Sequence, residues 1–295
     1  MSDWHVLGAG AIGCLFAANL QRSGVNCSLI MKIAGPAQCD IEVEDAEQSY
    51  AIGVTATAAE SNSPIHRLLV TTKAYDVADA LLSVKHRLGT GSQVLILVNG
   101  MGLLEIAAEE LAGVTLFAGT TTEGAYRTGA QKICHAGRGA TRIGSPESRY
   151  RPDWLDDWLR IRLDCQWDPD IEAALWHKLA INCAINPLSA LHRVRNGELE
   201  RDRKLRASVA ALCQEIAAVS EAAGFGETAR LIATDSRDVI RQTASNKSSM
   251  LQDTLAGRPT EIEFITGYLV RRADALGVPV DRNRELLERI RKLEP

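Results

Sequence analysis

The sequence predicts an α/β fold in which a domain built on a mostly parallel sheet precedes an all-helical C-terminal domain. Three observations predict it. Short β-rich runs alternate with helical stretches from Trp4 to about Cys165. The first of these runs ends in the glycine-spaced turn "GAGAIG". From about Asp168 onward apolar residues recur at three- and four-residue intervals, interrupted by glycine and proline. Strands separated by helices form parallel sheets covered on both faces, and three-four spacing marks amphipathic helices.

Taken in order, the strands are predicted at "HVLGAG", "NCSLIMK", "RLLVTTKA", "SQVLILVNG", "TLFAGTT" and "ATRIG". The Thr- and Gly-rich segment from Thr120 to Gly144, with "KICHAG" and "ATRIGS" inside it, predicts a hairpin-rich edge to the sheet. The character changes near Trp167, which divides the chain into domains 1–167 and 168–295, and Asp168 or Asp170 can cap the first helix of the second. Pro187 lacks an N–H and crowds the preceding turn, so a kink or helix end is predicted right after Asn186. Further helices follow at "RKLRASVAALCQEIAAVSEAAGF", "ARLIATDSRDVIRQTA", "TEIEFITGYLVRRADALG" and "NRELLERIRKLE".

A chain of 295 residues can bury two cores, and a formal net charge of −4 gives no general attraction to nucleic acid or to an anionic membrane. In "RVRNGELERDRKLR" acids dilute the bases, so a solvated helix face fits it better than a nucleic-acid patch. No segment approaches the roughly 20 apolar residues of a membrane span, and no secretory leader is recognisable. Seven scattered cysteines without a C-x-x-C pair, and six histidines without an H-x-x-x-H pair, predict reduced thiols, no structural metal and a cytoplasmic protein. Small-molecule chemistry is therefore the starting expectation.

Gly8, Gly10 and Gly13 form G-x-G-x-x-G between a strand and a helix, the setting that gives the pattern meaning as a Rossmann-type dinucleotide site. Gly8 permits the tight turn, Gly10 lets a pyrophosphate approach the backbone, and Gly13 lets the helix pack closely. The phosphates would sit on the helix N-terminus, against Ala9, Ala11 and Ile12. Lys32 ends the second strand, where an NAD site carries a carboxylate for the ribose. A lysine there offers a cation to a 2′-phosphate, so NADPH is expected over NADH. A surface lysine beside a cofactor held some other way is the alternative.

Lys178, Asn182 and Asn186 follow one another at four-residue steps and share a stripe of an otherwise apolar helix. Burying such groups unpaired costs roughly 1–3 kcal/mol each. A bound polar substrate would supply partners. So would an internal network tying the helix to the sheet, and the spacing does not choose between them.

The chain resembles the ketopantoate reductase (2-dehydropantoate 2-reductase) family over nearly its full length. The resemblance rests on "GAGAIG", "TTKAYDV", "LVNGMG", "GTTTEGA", "HKLAINCAINPLSAL", "NGEL" and "NKSSMLQDTLAGRPTEIEFITGYLVRRA", in the family's order. It implies NADPH-dependent reduction of 2-dehydropantoate to pantoate, a step of pantothenate and coenzyme A synthesis. It further implies Lys178 as proton donor and Glu261 as a catalytic residue near the nicotinamide and substrate. Asn99, Asn182, Asn186, Asn196 and Ser249 become substrate-binding residues, and Lys73, Asn99, the Ala125 backbone and Glu261 contact the cofactor. By the same resemblance Lys32 meets the 2′-phosphate. The expected partner is a small 2-keto acid, with a homodimer as candidate assembly. Two rivals are a reductase of another branched 2-keto acid, which would alter the Asn and Ser positions, and a non-catalytic NADPH-binding regulator, which would lose Lys178.

Overall fold

The computed structural model describes residues 3–32 and 35–295. It divides into two compact units, one of residues 1–98 and 103–172, the other of residues 99–102 and 173–295.

The first unit carries one sheet, with eleven strands among the described residues. These are β1 (Trp4–Leu7), β2 (Cys27–Met31), β3 (Gln38–Glu44), β4 (Ser49–Ala58), β5 (Ile65–Val70), β6 (Leu88–Ile96), β7 (Thr115–Thr121), β8 (Gly124–Arg127), β9 (Lys132–Gly137), β10 (Ala140–Gly144) and β11 (Asp164–Trp167). They lie in the order β11-β10-β7-β6-β5-β1-β2-β4-β3-β9-β8. The run from β7 to β2 is parallel, and β1 pairs with both β2 and β5. Helices α1 (Ala11–Arg22), α2 (Val77–Val84), α3 (Leu103–Glu110) and α4 (Leu155–Trp158) belong to this unit. Valine, isoleucine and leucine fill the buried C-terminal ends of β5 (Leu68, Leu69, Val70) and β6 (Val94, Leu95, Ile96), as central parallel strands covered on both faces require. On one face the α1 residues Leu15, Phe16 and Leu20 pack into a core with Trp4, Phe117, Trp154 and Trp158, whose rings meet edge to face or tilted.

The expected hairpin edge is present: β8 pairs antiparallel with β9, and β10 returns antiparallel to β7. Two features depart from expectation. The stretch "QCDIEVE" and the following "SYAIGVTATA" form an antiparallel pair, β3 and β4, that the strand pattern had passed over. The residues "DCQW" form β11 on β10, ahead of the helical region.

The second unit is helical: α5 (to His192, from Ile171), α6 (Glu198–Arg201), α7 (Arg203–Ala222), α8 (Gly226–Gln242), α9 (Ser249–Leu255), α10 (Thr266–Leu276) and α11 (Asp281–Arg291). Asp168 accepts from the Asp170 amide at 2.9 Å in the turn that precedes α5. Of the kink or helix end predicted after Asn186, the helix end is absent, since α5 runs through Pro187 to His192. Both flanks of the proline are buried, and packing of Ile185, Leu188 and Ala190 in the second core favours continued helix.

Candidate active site

In the sheet unit the strand ends place the glycine turn. Thr71, following β5, donates its hydroxyl to the Gly8 carbonyl at 2.8 Å and its amide to Leu7 at 2.9 Å. Gly8 has φ +111°, and a Cβ on it would stand 2.6 Å from the Thr72 nitrogen. A Cβ on Gly13 would stand 2.0 Å from the Gly8 carbonyl oxygen. Packing within the protein therefore demands both glycines. It makes no such demand at Gly10, where the nearest atom to an added Cβ lies 4.0 Å away. That open approach, at the N-terminus of α1, suits an external group. No side chain caps this helix end, and its first turn holds no acid. Backbone amides and dipole are thus left for an anion, so the residues present fit a dinucleotide pyrophosphate.

Lys32 is exposed one residue past β2. Because Leu7 pairs with Ile30, it stands at the same end of the sheet as the glycine turn. Lys73 is half-buried in the loop after β5, at that end too.

In the helical unit Asn99–Gly102 is stitched to the turn that carries Glu261. The Met101 amide donates to the Phe264 carbonyl at 2.9 Å. Gly100, at φ +98°, leaves no room for a Cβ against Phe264, which would lie 2.7 Å away. Asn99 thereby meets both partners. It accepts from Lys178 Nζ at 2.9 Å through Oδ1 and donates from Nδ2 to Glu261 Oε2 at 3.4 Å. One amide, used at both ends, is fixed in orientation between a cation and a buried carboxylate. Lys178 as a residue is only partly buried, but burial of its ammonium pushes the pKa down to about 8, against the Glu261 charge, which raises it. A lysine poised there can hold or release a proton near neutral pH.

Further along the α5 stripe Asn182 is half-buried and Asn186 buried. Among the described residues no hydrogen bond is found for either side-chain amide, whereas Lys178 of the same stripe is bonded to Asn99. Asn196 donates to Thr243 Oγ1 at 2.9 Å, while its buried Oδ1 has no partner. Ser249 is exposed at the first position of α9, and its neighbour Ser248 caps that helix by accepting from the Leu251 amide.

The family model described as "Ketopantoate reductase PanE/ApbA" matches residues 4–148, and that described as "Ketopantoate reductase PanE/ApbA C terminal" matches residues 170–294. The chain belongs to the ketopantoate reductase family. A curated 2-dehydropantoate 2-reductase of Salmonella typhimurium is 37% identical over 98% of this chain and 94% of its own length. The crystal structure of a PanE/ApbA family ketopantoate reductase from Ralstonia eutropha superposes with a TM-score of 0.87 at 26% identity, over 99% of this chain and 98% of that one. A ternary structure of D-mandelate dehydrogenase with NADH and anilino(oxo)acetate shares the fold at TM-score 0.89 and 20% identity, over 99% and 98% of the two chains.

Two features of the sheet unit near the glycine turn and Ala125 escape the sequence. Arg127, on β8, donates to the Ala9 carbonyl at 3.2 Å and so puts a cation against the glycine turn. Only the placement of β8 beside α1 reveals it. Glu123, in the turn before Ala125, is buried and bonded to His135 Nε2 at 2.6 Å. That pair ties the turn to β9, where His135 stands opposite Ala125.

Proposed function

We propose that the chain reduces the C2 ketone of 2-dehydropantoate to the alcohol of pantoate, with NADPH as cofactor and Lys178 as proton donor. The observation that carries the reading is Lys178, an amine held by Asn99 and brought by burial to a pKa of about 8. When bound, the nicotinamide supplies a hydride to the ketone carbon. Lys178 Nζ donates a hydrogen bond to the ketone oxygen, stabilises the negative charge that grows there and transfers its proton as the alcohol forms. Glu261, through Asn99, keeps the amine aimed. Asn182, Asn186, Asn196 and Ser249 both donate and accept without adding charge, which suits a substrate carrying a carboxylate and a hydroxyl. The unpartnered Asn196 Oδ1 is an acceptor ready for a hydroxyl.

In the sheet unit the Gly8 to Gly13 turn, with Ala9, Ala11 and Ile12, would receive the pyrophosphate, and Lys32 the 2′-phosphate. Lys73 and the Ala125 backbone would complete that side, and Asn99 and Glu261 the nicotinamide side. Arg127 adds positive charge beside the turn. The reading extends to a cytoplasmic enzyme, which seven unpaired thiols suit, and to a homodimer, which light scattering tests. NADPH oxidation with a panel of 2-keto acids tests the activity. The highest kcat/KM is expected for 2-dehydropantoate, and a clear preference for another keto acid would overturn the substrate assignment.

A further inference from the structure

Ser189 lies one helical turn beyond Asn186 on α5 and is 0% exposed. Its hydroxyl donates to the Asn186 carbonyl at 2.9 Å and stands 2.6 Å from the hydroxyl of Ser248. Each serine has one proton to give. Since that of Ser189 goes to Asn186, the Ser248 hydroxyl donates to Ser189. Ser248 in turn accepts from the Leu251 amide at 3.1 Å. The result is a directional chain of three hydrogen bonds from the first turn of α9, through two buried hydroxyls, to the backbone of a residue on the α5 stripe.

The other end of the same connection is anchored separately. Backbone amides of Asn196 and Gly197 donate to Asn246 and Ala244, each at 3.0 Å. A Cβ on Gly197 would come 2.9 Å from the Ala244 Cβ, so only glycine allows that approach. Residues 244–248 are therefore pinned at both ends, and Ser249, the residue that follows the buried Ser248, is exposed.

We propose, on the substrate reading given above, that Ser189 and Ser248 are positioning residues that set Ser249 against the Asn182–Asn186 face of α5. Neither touches substrate. Their hydroxyl pair fixes how far the α9 serine stands from the two α5 amides, and hence the length of polar ligand that both can bind at once.

The test is Ser189→Ala, which removes the hydroxyl without adding bulk, together with Ser189→Cys, which replaces a strong donor by a weak, larger one. In both, KM for 2-dehydropantoate should rise roughly 3- to 10-fold, the worth of one neutral hydrogen bond. The kcat and the NADPH Kd should stay at wild-type values, and the Leu251 amide should exchange its hydrogen faster. Combined with Ser248→Ala, the KM effects should be less than additive, because both act through one chain. An unchanged KM in either folded variant, or a fall in kcat without a change in KM, would overturn the proposal while leaving the activity in place. No turnover of 2-dehydropantoate by the unaltered protein would instead remove the substrate reading and this inference with it.

Discussion

At Lys178 burial and a neighbouring carboxylate act in opposite directions, and burial wins, leaving the pKa at about 8. The sign of the pH dependence follows. A proton donor works while charged, so kcat/KM for reduction should be flat below about pH 8 and fall about tenfold per pH unit above it. The reverse oxidation needs the neutral amine and should rise toward pH 8. A pH–rate series in both directions checks this, and reduction that quickens through pH 8 would speak against Lys178 as donor. Lys32 carries a second prediction. Lys32→Asp should weaken NADPH binding while sparing NADH, since the new carboxylate repels a 2′-phosphate yet accepts from ribose hydroxyls. Titration with the two cofactors decides it, and an unchanged preference would remove Lys32 from the site. Lys32 stood out in the sequence at a strand end and Lys178 at the head of a three-residue polar stripe, with the donor role supplied by the family resemblance. Arg127 and Ser189 did not, because each matters only through a residue far away in sequence, Ala9 and Ser248.

Among the elements, the turn between β1 and α1 separates two kinds of glycine. Gly8 and Gly13 are crowded by the protein's own backbone, whereas Gly10 faces open space. Gly8→Ala should therefore destabilise the fold, by at least about 1–3 kcal/mol for the backbone conformation alone. Gly10→Ala should fold nearly as well as the parent but lose at least about tenfold in NADPH affinity, equivalent to about 1.4 kcal/mol. Denaturant unfolding beside cofactor titration distinguishes them. Equal losses of stability would mean that Gly10 is only structural. The strands flanking this turn were readable from runs of β-branched and aliphatic residues. The β3–β4 pair was passed over although β3 alternates buried Cys39, Ile41 and Val43 with polar residues; the acids of β3 and the small residues at the end of β4 dilute its apolar content. At Pro187 the alternative of a helix end failed: the local penalty of about 3 kcal/mol is outweighed by the packing of the buried residues on either side.

For the whole molecule, each unit has its own core, one around α1 and the tryptophans, the other around α5. The proposed functions divide along the same line, with phosphate recognition on the sheet unit and proton transfer on the helical one. The change from strand to helix near Trp167 is visible in sequence. The membership of residues 99–102 in the helical unit is not, because it depends on Gly100 and Met101 meeting Phe264. This division makes one measurement decisive: the steady-state rate and NADPH affinity of Lys178→Ala. Removing the amine takes away the proton source and the charge facing the alkoxide, so kcat should fall at least about 10²-fold. The NADPH Kd and the unfolding midpoint should stay close to those of the parent. Near-normal turnover in a stably folded Lys178→Ala protein would contradict the mechanism.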